Sequence, residues 1–216
     1  MKVVTLIPAR GGSKEIPNKN LVKLGGIPLL SYSCRASKAS SSSETWVSTD
    51  CQSIAKFAKE EGCNVMPRPS ELCTDHSKSD DALIHFSKHV DFDILVFQQA
   101  TSPFISPLDI NKGIKMVESE CFDSAFAVTK EDWLPRWSMA VNPINWDINN
   151  RPMRQDVDPV FIESGGLYVT TKTQLENSKL RYGGKIGFIE VPTIRNIDIN
   201  SFEDLELAEA IISSIS

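Results

Sequence analysis

Between Ile7 and Leu21 the chain reads IPARGGSKEIPNKNL, and Arg10, Lys14 and Lys19 gather three cations over about ten positions around a Gly11-Gly12 pair. Adjacent glycines let the backbone turn its N–H groups toward an anion, and a guanidinium with two ammonium groups can neutralise several phosphate oxygens at once. The chemistry this combination serves is polyphosphate binding. An apolar run from Val3 to Ile7 precedes the loop and reads as a buried strand, so the glycines fall where a strand of an α/β sheet turns toward its first helix. Open sheets bind ligands at that edge.

Neither common phosphate fingerprint is present. G-x-x-x-x-G-K-[ST] places glycine directly before the lysine, whereas Lys14 follows Ser13, and G-x-G-x-x-G is absent. Other segments stand out further along: VSTD at 47–50, RPSELCTDHSKS at 68–79, QATSP at 99–103, Arg154-Gln155, ESGGLY at 163–168 and NIDINS at 196–201. In this order they resemble the motifs of the acylneuraminate (CMP-sialic acid synthetase) cytidylyltransferase family, whose loop has the form IPAR-G-GSK-x-IP-x-KN. Glu15 stands where many members carry glycine, and the motifs span nearly the whole chain.

The resemblance implies a Rossmann-like, mostly parallel α/β sheet with helices on both faces, of the nucleotide-diphospho-sugar transferase type. It also implies an enzyme that joins CMP from CTP to the anomeric hydroxyl of an acidic nine-carbon sugar and releases pyrophosphate. Arg10 and Lys14 suit the leaving β and γ phosphates and Lys19 the α phosphate, with Ala9, Gly11, Ser13 and Asn20 shaping the loop around the nucleotide. Arg68 and Ser79 lie across a loop and the start of a helix. Either they reach the phosphate or ribose and the pyrimidine, or Arg68 caps a neighbouring helix and Ser79 is an N-cap before Asp80; the resemblance favours binding.

A sugar acid asks for a cation at its carboxylate and polar partners for its hydroxyls. Arg154 suits the first, and Gln99, Thr101, Ser102 and Glu163 the second, while Tyr168 stacks, hydrogen-bonds or packs as a buried strand residue. The stretch often written R-x-N-G-A appears here as Ile162-Glu163-Ser164-Gly165-Gly166. That departure implies a relative of N-acetylneuraminate with altered substituents, such as a legionaminate or pseudaminate. For Mg2+, Asp198 and residue 200 fall on one side of an alternating Ile-Asp-Ile-Asn run read as a strand, but the family's D-x-D becomes Asp198 and the neutral oxygen ligand Asn200. Asp50 and Asp75 are the next candidates.

A chain of 216 residues, 41% hydrophobic and 24% charged, fits one α/β domain over 1–216. A formal net charge of −5 excludes the basic surplus of a nucleic-acid binder, and no apolar run reaches membrane-span length. The expectation is a cytoplasmic protein whose five cysteines, none in a C-x-x-C pair, are reduced thiols. His85 and His89 share a helix face without the glutamate of H-E-x-x-H and read as surface residues.

Strands are expected near 2–7, 45–49, 64–66, 93–98 and 124–128. Helices are expected near 28–40, 51–61, 79–90 and 107–120, with Pro28 and Pro107 in first turns. From Lys130 to Pro159 neither period holds, and Trp133, Trp137 and Trp146 cluster there. This region, 130–160, reads as an excursion that makes a homodimer or a lid. Strands resume at 166–170 and 185–192, and a final helix starts near Ser201 with a Leu205, Ala208, Ile211 and Ile212 stripe. Rival readings are a nucleotidylyltransferase of the same fold acting on the eight-carbon Kdo or on a non-sugar acid or phosphonate, and a non-catalytic nucleotide-binding relative.

Overall fold

Apolar runs alternating with helical periods fold as the pattern requires. The computed structural model describes residues 1–74 and 77–215. Seven strands form the central sheet: β1 (Val3–Pro8), β4 (Glu44–Thr49), β5 (Asn64–Pro67), β6 (Ile94–Gln98), β7 (Ser124–Glu131), β10 (Val160–Thr171) and β11 (Ile186–Glu190). Their order is β11-β7-β10-β6-β1-β4-β5, and β10 alone runs antiparallel to its neighbours. The remaining strands are two short hairpins, β2 (Lys23–Leu24) with β3 (Ile27–Pro28) and β8 (Arg136–Trp137) with β9 (Pro143–Ile144).

Both sheet faces are covered, which explains why the central strands read as continuous apolar runs. On β6, Ile94 and Val96 pack on one face with α1 (Leu29–Lys38) and α4 (Pro107–Ser119), while Leu95 and Phe97 pack on the other with α3 (Ser79–Ser87) and α5 (Lys172–Ser178). The α2 helix (Gln52–Glu60) joins α1 over β1 and β4 through Ile54, Ala58, Leu30 and Cys34. Burying those apolar side chains contributes about 1.5–3 kcal/mol for each large one.

The last helix, α6 (Phe202–Ile215), builds a fourth small core with Ile16, Leu24, Leu29 and Ile199. Leu205, Ala208 and Ile212 of the expected stripe face it. Ser201 starts the helix, its hydroxyl accepting from the Asp204 amide at 3.2 Å. This corner matters for the site because it pins the end of the Gly-Gly loop against the segment that carries Asp198.

Several expectations are corrected. Pro28 ends β3 and is the N-cap of α1 instead of standing inside its first turn, whereas Pro107 does stand in the first turn of α4 behind the Ser106 cap. Residues 197–200 are not a strand but a segment without regular structure after a 3-10 turn at Thr193–Arg195, with a backbone bond from Ile199 N to Thr101 O at 2.9 Å. The strand expected from Gly166 begins at Val160, because Gly165 and Gly166 form an irregularity within β10 instead of a turn before it. His89 is exposed and His85 half-buried.

In the excursion Trp146 packs edge-on against both Trp133 and Trp137, with centroids 6.4 and 5.1 Å apart, and Arg151 covers two of the rings. Leu134, Met139, Val141 and Ile148 remain exposed. No helix among the described residues is long and apolar enough to cross a membrane.

Candidate active site

The chain leaves β1 for one side of the sheet and reaches β6 on the other, so a crevice opens at the carboxyl ends of β1, β4 and β6. It is a cleft of about 520 Å3, within the range of small-molecule sites. Arg10, Lys14, Lys19, Arg68 and Lys78 line it against two carboxylates, Glu15 and Asp198, which makes it basic in an acidic chain. Ser13, Asn20, Thr74, Ser77, Ser79, Gln99, Thr101 and Asn200 complete the polar lining.

The loop is shaped by contacts that its motif alone does not reveal. Asn20 buries its side chain and donates Nδ2–H to Arg10 O at 3.0 Å. The Gly11 N–H, expected to face phosphate, donates instead to Asp50 Oδ1 at 2.9 Å. A Cβ on Gly11 would stand 2.8 Å from Cys51 Cβ, whereas Gly12 would meet only open space among the described residues. Gly11 is therefore required by the close approach of α2, and neither glycine has a positive φ. Ala9 is core, its N–H paired with Ser48 O at 2.9 Å, and is not cleft lining.

Ser48 and Asp50 explain the VSTD motif. Arg68 donates Nε–H to Ser48 Oγ at 3.0 Å and Nη2–H to Ser48 O at 2.7 Å, so β4 aims its guanidinium into the cleft. Burial lowers its pKa, yet a guanidinium starts so far above neutral pH that it stays charged. Asp50 is committed to the loop backbone. Asp75, the other reserve metal candidate, lies outside the described residues. Ser79 is the first residue of α3 and Lys78 its N-cap, so Ser79 does not fill the capping role.

Lys19, Asp198 and Asn200 form one network. Lys19 Nζ donates to Ile199 O at 2.9 Å and to Asn200 Oδ1 at 3.1 Å, and Asn200 Nδ2 donates to Asp198 Oδ2 at 2.8 Å. Burial lowers the Lys19 pKa and Asp198 pulls it back upward. Asp198 Oδ1 is buried and has no hydrogen-bond partner among the described residues. A hard divalent cation fits that orphan oxygen, completed by phosphate oxygens of a ligand. The amide oxygen of Asn200, the second ligand expected, accepts from Lys19 in this structure. Among the described residues no group of three His, Cys, Asp or Glu converges on a metal position.

The expected sugar-side residues are only partly assembled. Gln99 and Thr101 line the cleft, with Gln99 held by its N–H to Gly166 O at 2.9 Å. Ser102 is buried beneath Gly166. Tyr168 is buried, stacked on Phe97, and donates its hydroxyl to Glu163; burial raises its pKa, with Glu163 adding to the effect, so it stays a donor. Arg154 lies on the excursion in an exposed ion pair with Asp132 and does not line the cleft of its own chain. Lys78, Ser48 and Asp50 were not singled out for these roles, although all three sit inside motifs that were.

Comparison with known proteins agrees with this architecture. The chain is 36% identical over 216 residues to N-acylneuraminate cytidylyltransferase of Oncorhynchus mykiss, covering 96% of this chain and 49% of that protein. It is 29% identical to CMP-N,N'-diacetyllegionaminic acid synthase of Legionella pneumophila, covering 98% and 97%. The chain thus spans about half the length of the N-acylneuraminate cytidylyltransferases it matches, vertebrate and bacterial, and nearly all of the Legionella protein. The structure of CMP:2-keto-3-deoxy-manno-octonic acid synthetase complexed with CTP superposes with a TM-score of 0.78 at 18% identity, covering all of both chains, which shows a shared fold. A family model described as cytidylyltransferase matches residues 4–159, and the chain belongs to the cytidylyltransferase family.

Proposed function

We propose that this protein transfers the cytidylyl group of CTP to the anomeric hydroxyl of an acidic nine-carbon sugar and releases pyrophosphate. The observation that carries the reading is one basic cleft at the strand ends that joins Arg10, Lys14, Lys19, Arg68 and Ser79 to Gln99, Thr101 and Asp198. The hydroxyl oxygen gives up its proton to water and bonds to the α phosphorus while the bond to the β-phosphate oxygen breaks, so negative charge grows on the leaving pyrophosphate. Arg10 and Lys14 stabilise that charge, and Lys19, fixed by Ile199 O and Asn200, serves the α phosphate. Mg2+, held by Asp198 Oδ1 and phosphate oxygens, would neutralise charge on the triphosphate. Arg68 and Ser79 bind the nucleotide, and Gln99 and Thr101 meet sugar hydroxyls.

Relatives that act on N-acylneuraminate and on a legionaminate support the nine-carbon acid. Ile162 in place of an arginine favours a sugar with altered substituents over N-acetylneuraminate itself. Kdo is the alternative, favoured only by fold likeness. We further read the excursion as a homodimer contact that carries Arg154 to the partner's cleft, since its apolar side chains are exposed and Arg154 does not serve its own. Because CTP is its substrate in this reading, we further propose that it works in the cytoplasm.

The test is pyrophosphate release with each nucleoside triphosphate against N-acetylneuraminate, a legionaminate, a pseudaminate and Kdo. Release that requires CTP and a nine-carbon acid is expected; faster release with Kdo, or none with any nine-carbon acid, refutes the reading. Sedimentation that finds a monomer at micromolar concentration refutes the dimer.

A further inference from the structure

Asp80 follows Ser79 in the first turn of α3, a place where a carboxylate ordinarily faces water. Here it is buried and faces Arg181, 101 residues away. Oδ1 accepts from Arg181 N at 2.9 Å and from Nε at 3.1 Å, and Oδ2 accepts from Nη2 at 2.6 Å. The same guanidinium lies over the rings of Tyr168 and Phe97, 5.1 and 5.3 Å from their centroids. Tyr168 also stacks on Tyr182 at 6.1 Å and donates its hydroxyl to Glu163, at the edge of the β10 irregularity. Within that irregularity Gly165 has φ +74°, and the carbonyl of Gly166 accepts the Gln99 N–H.

One planar cation therefore touches the elements that stand behind both sides of the cleft. Toward the nucleotide side it holds the turn that presents Lys78 and Ser79. Toward the sugar side it holds the ring that fixes Glu163 and the turn behind Gln99. Lysine could pair with Asp80 but could not supply the fork and the stacking face together. A buried ion pair adds little stability over well-packed apolar side chains, so what it offers here is fixed geometry. We propose that Arg181 is a positioning residue that couples the nucleotide and sugar sides of the cleft, clamping α3 through Asp80 and the β10 irregularity through Tyr168. Its kinetic consequences rest on the cytidylyltransferase reading; its structural ones do not.

The experiment compares wild type with Arg181→Met, Arg181→Lys and Tyr168→Phe, by amide hydrogen exchange on the ligand-free protein and by steady-state kinetics with CTP and the best acidic sugar. Arg181→Met should accelerate exchange about tenfold or more in both segments, 79–81 and 163–168. It should also raise KM for both substrates, with kcat/KM falling between about 10- and 100-fold, the scale of a cleft displaced by about 1 Å. Arg181→Lys should restore the CTP KM and leave the sugar KM raised. Tyr168→Phe should affect only 163–168 and the sugar KM. If Arg181→Met does not fold, the other two variants carry the test. Faster exchange in one segment alone, or unchanged KM values against an active wild type, overturns the proposal. A wild type inactive with every sugar refutes the functional reading instead, and exchange then decides the coupling.

Discussion

Replacing Asn200 with aspartate tests the charge design of the cleft. In the wild type Asn200 is a neutral clasp whose amide donates to Asp198 at 2.8 Å and accepts from Lys19 at 3.1 Å. Aspartate at 200 loses the donor and adds a charge that repels one neighbour and attracts the other at nearly equal distances, so the two Coulomb terms largely cancel. What remains is the lost hydrogen bond to a charged acceptor, about 1.5–3 kcal/mol. For a chain of this size, at about 2–4 °C per kcal/mol, that lowers Tm by about 3–12 °C in chelator. A divalent cation reverses the balance, because two carboxylates then share it; tenfold tighter binding returns about 1.4 kcal/mol in excess metal.

The assay is thermal unfolding of wild type, Asn200→Asp and Asn200→Ala, with chelator and with excess Mg2+ and CTP. Asn200→Asp should be the least stable without metal and show the largest rise with it, and its half-saturating Mg2+ for turnover should fall. Asn200→Ala should lose stability in both conditions without the added rise. Equal Tm for wild type and Asn200→Asp in chelator would refute the clasp. An equal metal-induced rise would show that residue 200 does not face the ion.

Lys14→Ala should lower kcat by about 10²–10³ with little change in Tm, because a positive charge beside the leaving phosphates acts in the transition state; near wild-type turnover would remove Lys14 from the chemistry. Gly11→Ala should cost about 1–3 kcal/mol by forcing its Cβ against Cys51, and reduce kcat/KM for CTP, whereas Gly12→Ala should keep wild-type stability within about 1 kcal/mol; urea midpoints and kinetics that fail to separate the two would refute the close-approach argument. For Asp80, burial raises the carboxyl pKa but the Arg181 guanidinium outweighs it, leaving the folded value below the ordinary 3.8. Its stabilisation is therefore present above that value and lost as pH falls through the depressed folded pKa. The stability gap between wild type and Asp80→Asn, about 3 kcal/mol near neutral pH, should close in acid, and a gap that persists to about pH 2 would contradict this.

The residues legible in the sequence were those whose role is local. Ile94 to Phe97 read as a buried strand because every position is apolar, and both faces prove covered. Ser201 starts a helix where its hydroxyl and an acid three residues on pair with each other's backbone amides. What escaped is set by partners distant in sequence. The glycines of the basic loop announced phosphate, yet Gly11 is required by Cys51 of α2, and the turn of its N–H is set by Asp50. The Glu163 to Gly166 stretch has the composition of a turn but continues a strand, since β7 and β6 flank it and carry its register on either side. Alternation correctly put Asp198 and Asn200 on one side with Ile199 in the core, though no strand is present. The small core against α6 enforces the same alternation. Asn200 also meets a partner its spacing did not imply, because Lys19, 181 positions earlier, donates to its oxygen. Residue spacing shows which groups can meet at the strand ends, and packing between remote segments decides which of them remain available to a ligand.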